Sequence, residues 1–244
     1  MVSGWGMTDR GIVRRENQDS CAYEILADGA LAWGVVCDGM GGAKAGDVAS
    51  KMAVEAFCTQ MDQLKDLEGP PPAENLLQAA AEDANRVVYL KAQTDDDCIG
   101  MGTTLVGLIL QGTALWVVNV GDSRAYRVSQ GEIHRITRDH SVVEDLVARG
   151  DLTPDEARYH PQKNLITRAL GTARRVKADL FQETVSPGDI LLLCSDGLIN
   201  QMTDQEICQE IQAGGTPQEI CQRLVKRTLD SGAPDNVTVV LFQL

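Results

Sequence analysis

Four aspartates sit at or just beyond the ends of apolar runs, and this recurrence restricts what the chain can fold into more than any other feature. Asp38-Gly39 closes LAWGVVCDG, Asp122 closes LWVVNVGDS, Asp196-Gly197 closes ILLLCSDG, and Asp235-Asn236 opens into VTVVLF. Runs of this kind read as strands buried on both faces. Their ends are rigid, so each holds a short acidic side chain at a common edge. Convergent carboxylates with no Lys or Arg beside them cannot all stay ionised, because desolvation and like charge both raise a carboxylate pKa. Hard divalent cations with oxygen ligands answer that need. Taken singly, Asp-Gly and Asp-Asn are turn dipeptides. What favours a site is one arrangement repeated from end to end of the chain.

The 244 residues suffice for one large domain or two small ones. Only the short Gly69-Pro70-Pro71-Pro72 break interrupts the helical patterns, so a single domain over 1–244 is expected. The hydrophobic fraction of 43% is enough for a sizeable core. No apolar run approaches the roughly 18 residues of a membrane span, so no membrane partner is expected. Cys21, Cys37, Cys58, Cys98, Cys194, Cys208 and Cys221 form an odd set without a C-x-x-C pair, the usage of a reducing compartment. The start, MVSGWGMTDRG, lacks a basic region followed by an apolar segment. A cytoplasmic location is the resulting expectation. A formal net charge of −13 argues against nucleic acid as a partner.

Two strands joined at Asp28-Gly29 are expected over 22–27 and 30–37. Helical periodicity follows over 45–60 and again over 74–93. Strand-like runs fill 103–128, broken at Gln111-Gly112, with a further turn at Ser129-Gln130-Gly131 leading to 132–137; their short connections favour antiparallel pairing. Ser141 and Glu144 read as a capping pair for a helix over 142–149. The polar stretch 150–164, with Pro154 and Pro161, suits a surface lobe or flap. Two strands flank Pro187-Gly188, helices capped by Thr203 and Thr216 follow, and a strand over 236–243 ends the chain. Antiparallel strands alternating with helix pairs imply an α+β layered domain, with helices outside the sheets.

Read in order, GIVRRENQDS, CDGMGGAKAG, MGTTL, VGDSRAY, TRDHS, HPQKNLITRALG, LLCSDGL and GAPDNVTVV resemble a bacterial metal-dependent protein phosphatase of the PPM class, also called type-2C serine/threonine phosphatases. The resemblance covers essentially the whole chain. It implies a β-sandwich of two mainly antiparallel sheets flanked by pairs of helices, with a small flap. It also implies Mn2+ or Mg2+, two ions in a core site and a third held more weakly. Asp38 falls on the bridging ligand, with the Gly39 carbonyl as a further ligand and Asp196 and Asp235 completing the pair. Asp122 matches the residue that shares the third ion with Asp196, and Asp19 a carboxylate acting mostly through metal-bound water. Arg14 matches the phosphate-binding arginine, a role suited to a planar guanidinium that can hold two oxygens at once. Arg15 reads as a surface residue. The implied activity is hydrolysis of phosphoserine and phosphothreonine in proteins, by a monomer opposing a serine/threonine kinase.

From such ligands the chemistry follows: water bridging two divalent ions ionises near neutral pH and can attack phosphorus without a phosphoenzyme. Cys37 and Cys194 lack the phosphate loop of a thiolate phosphatase and read as core residues. The family often carries a His just after the first Asp-Gly or within the following Gly-rich turn, assigned to protonating the leaving alcohol. Here those positions are Met40 and Ala43. Of the three histidines, His134, His140 and His160, His140 reads as orienting backbone and His160 as the flap residue able to reach substrate as the acid. Hydrolysis restricted to small phosphate esters is a competing reading, as is an inactive binding module of the same fold. Retention of Arg14, Asp38, Asp196 and Asp235 argues against the latter.

Overall fold

Side chains alternate between two apolar environments along the central strands, and that alternation sets the layers. The structure is a computed structural model that describes residues 1–41, 45–65, 69 and 72–244. With strands numbered along the chain, one sheet has the order β1 (Ser3–Asp9), β11 (Val237–Gln243), β10 (Ile190–Cys194), β7 (Arg124–Ser129), β8 (Glu132–Arg135). The other has β2 (Asp19–Leu26), β3 (Leu31–Met40), β5 (Leu105–Gln111), β6 (Ala114–Val120), β9 (Asp179–Thr184), and the short β4 (Gly102–Thr103) pairs with the end of β3. Pairing is antiparallel throughout.

Between the sheets lie Ala32, Val36, Leu108, Leu191, Leu193, Val240 and Phe242. The alternate residues Trp33, Val35 and Cys37 face α1 (Ala45–Met61) and α2 (Ala73–Thr94), which contribute Phe57, Leu77 and Val88 to a second core. On the far side Leu192, Cys194, Val239 and Leu241 meet the helices that follow β10: the short α5 (Asp196–Ile199), α6 (Asp204–Gln212) and α7 (Pro217–Asp230). Strands covered on both faces explain the unbroken apolar runs in the sequence. The expected helices–sheet–sheet–helices arrangement is what the chain adopts. Among the described residues no helix is long and apolar enough to cross a membrane.

Two short connections depart from hairpin expectation. The run from β6 to β7 is only three residues long, yet these strands belong to different sheets. Gly121, at φ +108°, makes the sharp bend that lifts the chain from one sheet to the other, a conformation L side chains resist. Asp122 is therefore carried on a crossover between layers. β9 and β10, on either side of Pro187-Gly188, likewise fall in different sheets.

The lobe between β8 and β9 begins with α3 (Val142–Arg149), capped by Ser141 Oγ accepting from Glu144 N as the sequence indicates. A second helix, α4 (Pro154–Tyr159), follows with a complete Thr153–Glu156 capping box and Pro at its first turn. The stretch expected as a flap thus carries a helix of its own. An isolated bridge between Ser141 and Ile166 closes the lobe at its base.

Candidate metal centre

Antiparallel topology brings the chain's carboxylates to one end of the sandwich. Asp38 lies near the C-terminal end of β3, and its register partner on β2 is Asp19, so the two side chains share a sheet face. Asp122 sits on the β6–β7 crossover, Asp196 opens α5 directly after β10, and Asp235 comes just before β11. Strand ends from both sheets meet here.

Hydrogen bonds hold the backbone beneath these groups. Asp38 N donates to Thr104 Oγ1 (2.9 Å), and Thr103 Oγ1 donates to Asp38 O (2.9 Å). Thr104 Oγ1 also pairs with Ser123 Oγ at 2.7 Å, tying the end of β3 to the residue after Asp122. Gly39 is required by close approach: a Cβ there would stand 2.0 Å from Gly46 O at the start of α1. Asn236 clamps the loop that bears Arg14, accepting from Gln18 N and donating to Arg10 O and Glu16 O.

A cavity of about 690 Å3 opens over this end, with Arg14, Asp38, Gly39, Asp122, Asp196 and Asp235 in its wall. From the lobe, Asn164 and Ile166 reach it. Thus six of the eight residues marked on sequence line one cavity, and Asp19 lies behind it, 5% exposed. The eighth, His160, is not brought in. It ends α4 and its Nδ1 accepts from Gln162 N at 3.1 Å. Met40 does line the cavity, whereas Ala43 lies outside the described residues. Arg15, read as a surface residue, also reaches the cavity wall.

Electrostatically the cluster is strained towards its neutral forms. Burial, followed by the charges of Asp19, Asp196 and Asp122, drives the Asp38 carboxyl well above the ordinary range. Burial and Asp196 do the same at Asp122. Asp19 is pushed up to about 7, chiefly by burial, against two hydroxyl hydrogen bonds that pull it down. Among the described residues no three His, Cys, Asp or Glu side chains form a ready-made ligand set. Two of the carboxylates take protein donors: Arg14 Nη2 meets Asp235 Oδ2 at 2.7 Å, and Asn200 Nδ2 donates to Asp196 Oδ2 at 2.9 Å. Even so, Asp19 Oδ1 and Asp196 Oδ1 are buried with no hydrogen-bond donor. Orphaned carboxylate oxygens are rare because their desolvation is costly. A divalent cation, directly or through its water, is the partner that fits two such oxygens among hard oxygen donors.

His140 is 6% exposed, with Nδ1 accepting from Gly121 N at 3.0 Å and its own N donating to Gly121 O at 2.9 Å. Its ring thus orients the backbone that leads into Asp122. Sequence reasoning did not find Thr103, Thr104, Asn200 or Asn236. For Asn236 the adjacent Asp235 was a signal; for the others nothing local distinguished them.

Residues 12–227 match the family model described as Protein phosphatase 2C. The chain is 35% identical over 237 residues to a serine/threonine phosphatase stp of Listeria innocua, covering 97% of this chain and 93% of that protein. It is 39% identical to the serine/threonine protein phosphatase PstP of Mycobacterium tuberculosis over 96% of its own length and 43% of the relative's. Among solved structures, serine/threonine phosphatase Stp1 of Staphylococcus aureus superposes with a TM-score of 0.92 at 38% identity, covering 100% of this chain and 95% of that one. The catalytic domain of PstP in complex with two manganese ions superposes with a TM-score of 0.86 at 36% identity, over 99% and 97% of the two chains. With a family match across most of its length and a fold shared from end to end, this chain belongs to the protein phosphatase 2C family, the metal-dependent serine/threonine protein phosphatases of the PPM class.

Proposed function

We propose that Asp38, Asp196 and Asp235, with the carbonyl of Gly39, hold two Mn2+ or Mg2+ ions at the cavity floor. In this reading Asp122 and Asp196 share a third, weaker ion, and Asp19 acts through the water of the core pair. The observation that carries it is the pair of buried, donorless oxygens on Asp19 and Asp196 beside mutually repelling carboxylates. When bound, the ions supply water ionised near neutral pH and positive charge opposite the phosphoryl oxygens.

The chain's own residues do the rest. Arg14, with its side chain 53% exposed at the cavity wall, receives two phosphoryl oxygens of phosphoserine or phosphothreonine, while Asn236 holds the loop on either side of it at Arg10 and Glu16. Its bond to Asp235 holds the guanidinium at the cavity wall, where it would meet a phosphoryl group. Asp38 at the end of β3 and Asp196 at the start of α5, just after β10, bring carboxylates from the two layers to the cavity floor. No histidine is among the described residues of the cavity wall, so water in the cavity supplies the leaving-group proton. The substrates are phosphorylated proteins, acted on by a cytoplasmic monomer opposing a serine/threonine kinase, all within a single domain spanning 1–244.

Turnover of a phosphopeptide panel and of nitrophenyl phosphate, with Mn2+, tests the reading. Phosphoserine and phosphothreonine peptides are expected to be cleaved and phosphotyrosine peptides to lag. Asp38→Asn should lower kcat on the order of a hundredfold or more while the fold survives. Near-normal turnover of this variant with unchanged metal content would end the dinuclear reading.

A further inference from the structure

The two donorless oxygens share a pattern: on each carboxylate the second oxygen is held by protein, on Asp19 by two donors and on Asp196 by one. Asp19 Oδ2 accepts from Ser195 Oγ and from Thr238 Oγ1, each at 2.7 Å. Ser195 Oγ in turn accepts from Thr238 N at 3.0 Å, and Ser195 N donates to Thr238 O at 3.0 Å, so the two residues are locked to each other. Ser195 and Thr238 are both 0% exposed. On Asp196, Oδ2 accepts from Asn200 Nδ2 at 2.9 Å, while Asn200 N donates to Asp196 O at 2.8 Å.

With Asp19 ionised, as a carboxylate facing a cation is, the proton directions are determined. A carboxylate only accepts, and a threonine hydroxyl has one proton. Thr238 gives its proton to Asp19, so in the Thr8–Thr238 contact of 2.7 Å Thr8 is the donor. Thr8 Oγ1 then accepts from Asn17 Nδ2 at 2.8 Å. Asn17, Thr8 and Thr238 form a one-way chain of donors ending on Asp19, and Asn17 Oδ1 closes it by accepting from Asp19 N at 3.1 Å. The Thr8–Thr238 link is a register pair of β1 and β11. At Asp196, the Asn200 amide is orientated from its other end, where Oδ1 accepts from Lys163 Nζ of the lobe at 3.4 Å.

We propose that Ser195, Thr238 and Asn200 are positioning residues for the metal centre: by holding one oxygen of Asp19 with two donors and one of Asp196 with a single donor, they fix the carboxylate planes and turn the remaining oxygen of each towards the cations. The inference rests on the divalent-metal reading of the cavity. Outer partners of this kind orient ligands and set their basicity, and their loss costs about 10–100-fold in metal affinity.

The test is calorimetric titration of the metal-stripped full chain with Mn2+, comparing wild type, Thr238→Val, Thr238→Ser and Asn200→Ala, with Asp38→Asn as the control for the site itself. Valine keeps the shape of threonine without its hydroxyl, and serine keeps the hydroxyl. Thr238→Val and Asn200→Ala are expected to bind Mn2+ about 10–100-fold more weakly, and Thr238→Ser to bind as wild type does. Equal loss in the Val and Ser variants would assign the effect to packing and overturn the proposal. So would wild-type Mn2+ affinity in a folded Thr238→Val. Should that variant not fold, Asn200→Ala, at the half-buried end of α5, decides alone, and unchanged affinity there overturns the proposal. If instead wild type and Asp38→Asn bind Mn2+ equally poorly, it is the metal reading of the cavity that fails.

Discussion

Asp122 differs from the other carboxylates in how it is held: it rides on the β6–β7 crossover, steadied from behind by His140 and beside Arg124, whose charge favours its ionised form. In the proposed reading Asp122 would hold the weaker ion from a single bend, with less protein oxygen and more water around it. Asp122→Ala should therefore leave the core pair occupied while slowing turnover about tenfold and raising the Mn2+ needed for half-maximal rate, a range typical of lost metal-site partners. Parallel titrations of binding and rate check this, and loss of all bound metal would place Asp122 in the core pair. Arg14→Ala should act differently, chiefly raising KM for phosphopeptides because a clamp binds the ground state too, with a smaller fall in kcat from the part of its hold that strengthens in the transition state. His160→Ala probes the leaving-group proton. An acid matters most for a serine alkoxide and least for nitrophenolate, so a residue lying off the cavity should leave the ratio of the two rates unchanged. A selective loss on phosphoserine would return His160 to the role of acid.

Helix caps show which parts of the chain are read locally. Thr203–Glu206 and Thr216–Glu219 form complete capping boxes where the sequence places helix starts, because every atom of the motif lies within four consecutive residues. Thr153–Glu156 is the same motif, and its helix lay within the segment read only as a polar lobe. The caps should respond unequally to mutation. α7 buries Ile220, Cys221 and Leu224, so Thr216→Ala should lower global stability by about 1 kcal/mol in denaturant unfolding. α4 buries nothing, so Thr153→Ala should leave that midpoint in place and show only as faster amide exchange across 154–159. Equal global losses would mean that the lobe unfolds together with the core. Strand partners were less legible than caps. The three residues between β6 and β7 look like a hairpin turn, and only the second sheet's need to cover the first sends them across. The carboxylate cluster was legible because each member marks a strand end. The donors that hold it were not: Thr238 and Asp19 are separated by 219 positions, and no local pattern relates them.

Across the assembled fold, the burial that gathers these carboxylates makes their charged forms costly. In the metal-free chain Asp19 is held up to about 7, by burial before neighbouring charge, and Asp38 and Asp122 stand well above their ordinary values for the same first reason. Unfolded, these carboxyls release their protons near pH 4. Between about pH 4 and 7 the folded chain therefore binds more protons than the unfolded one, and this group's contribution to stability falls as pH rises through that window. Cations reverse the balance, because a ligating carboxylate must give up its proton and the metal bears the charge that burial penalises. Stabilisation by Mn2+ should accordingly grow with pH. At a Mn2+ concentration about a hundred times Kd, the thermal midpoint should rise by about 5–10 °C at pH 7.5, and by less than half as much at pH 5.5 with the same Mn2+. Asp38→Asn removes one of the strongly raised carboxyls, so its metal-free form should lose less stability than wild type between pH 5.5 and 7.5. Differential scanning calorimetry with and without Mn2+ at the two pH values measures both effects. A Mn2+ shift that is equal at the two pH values, or larger at pH 5.5, would show that protons and cations do not compete for these carboxylates.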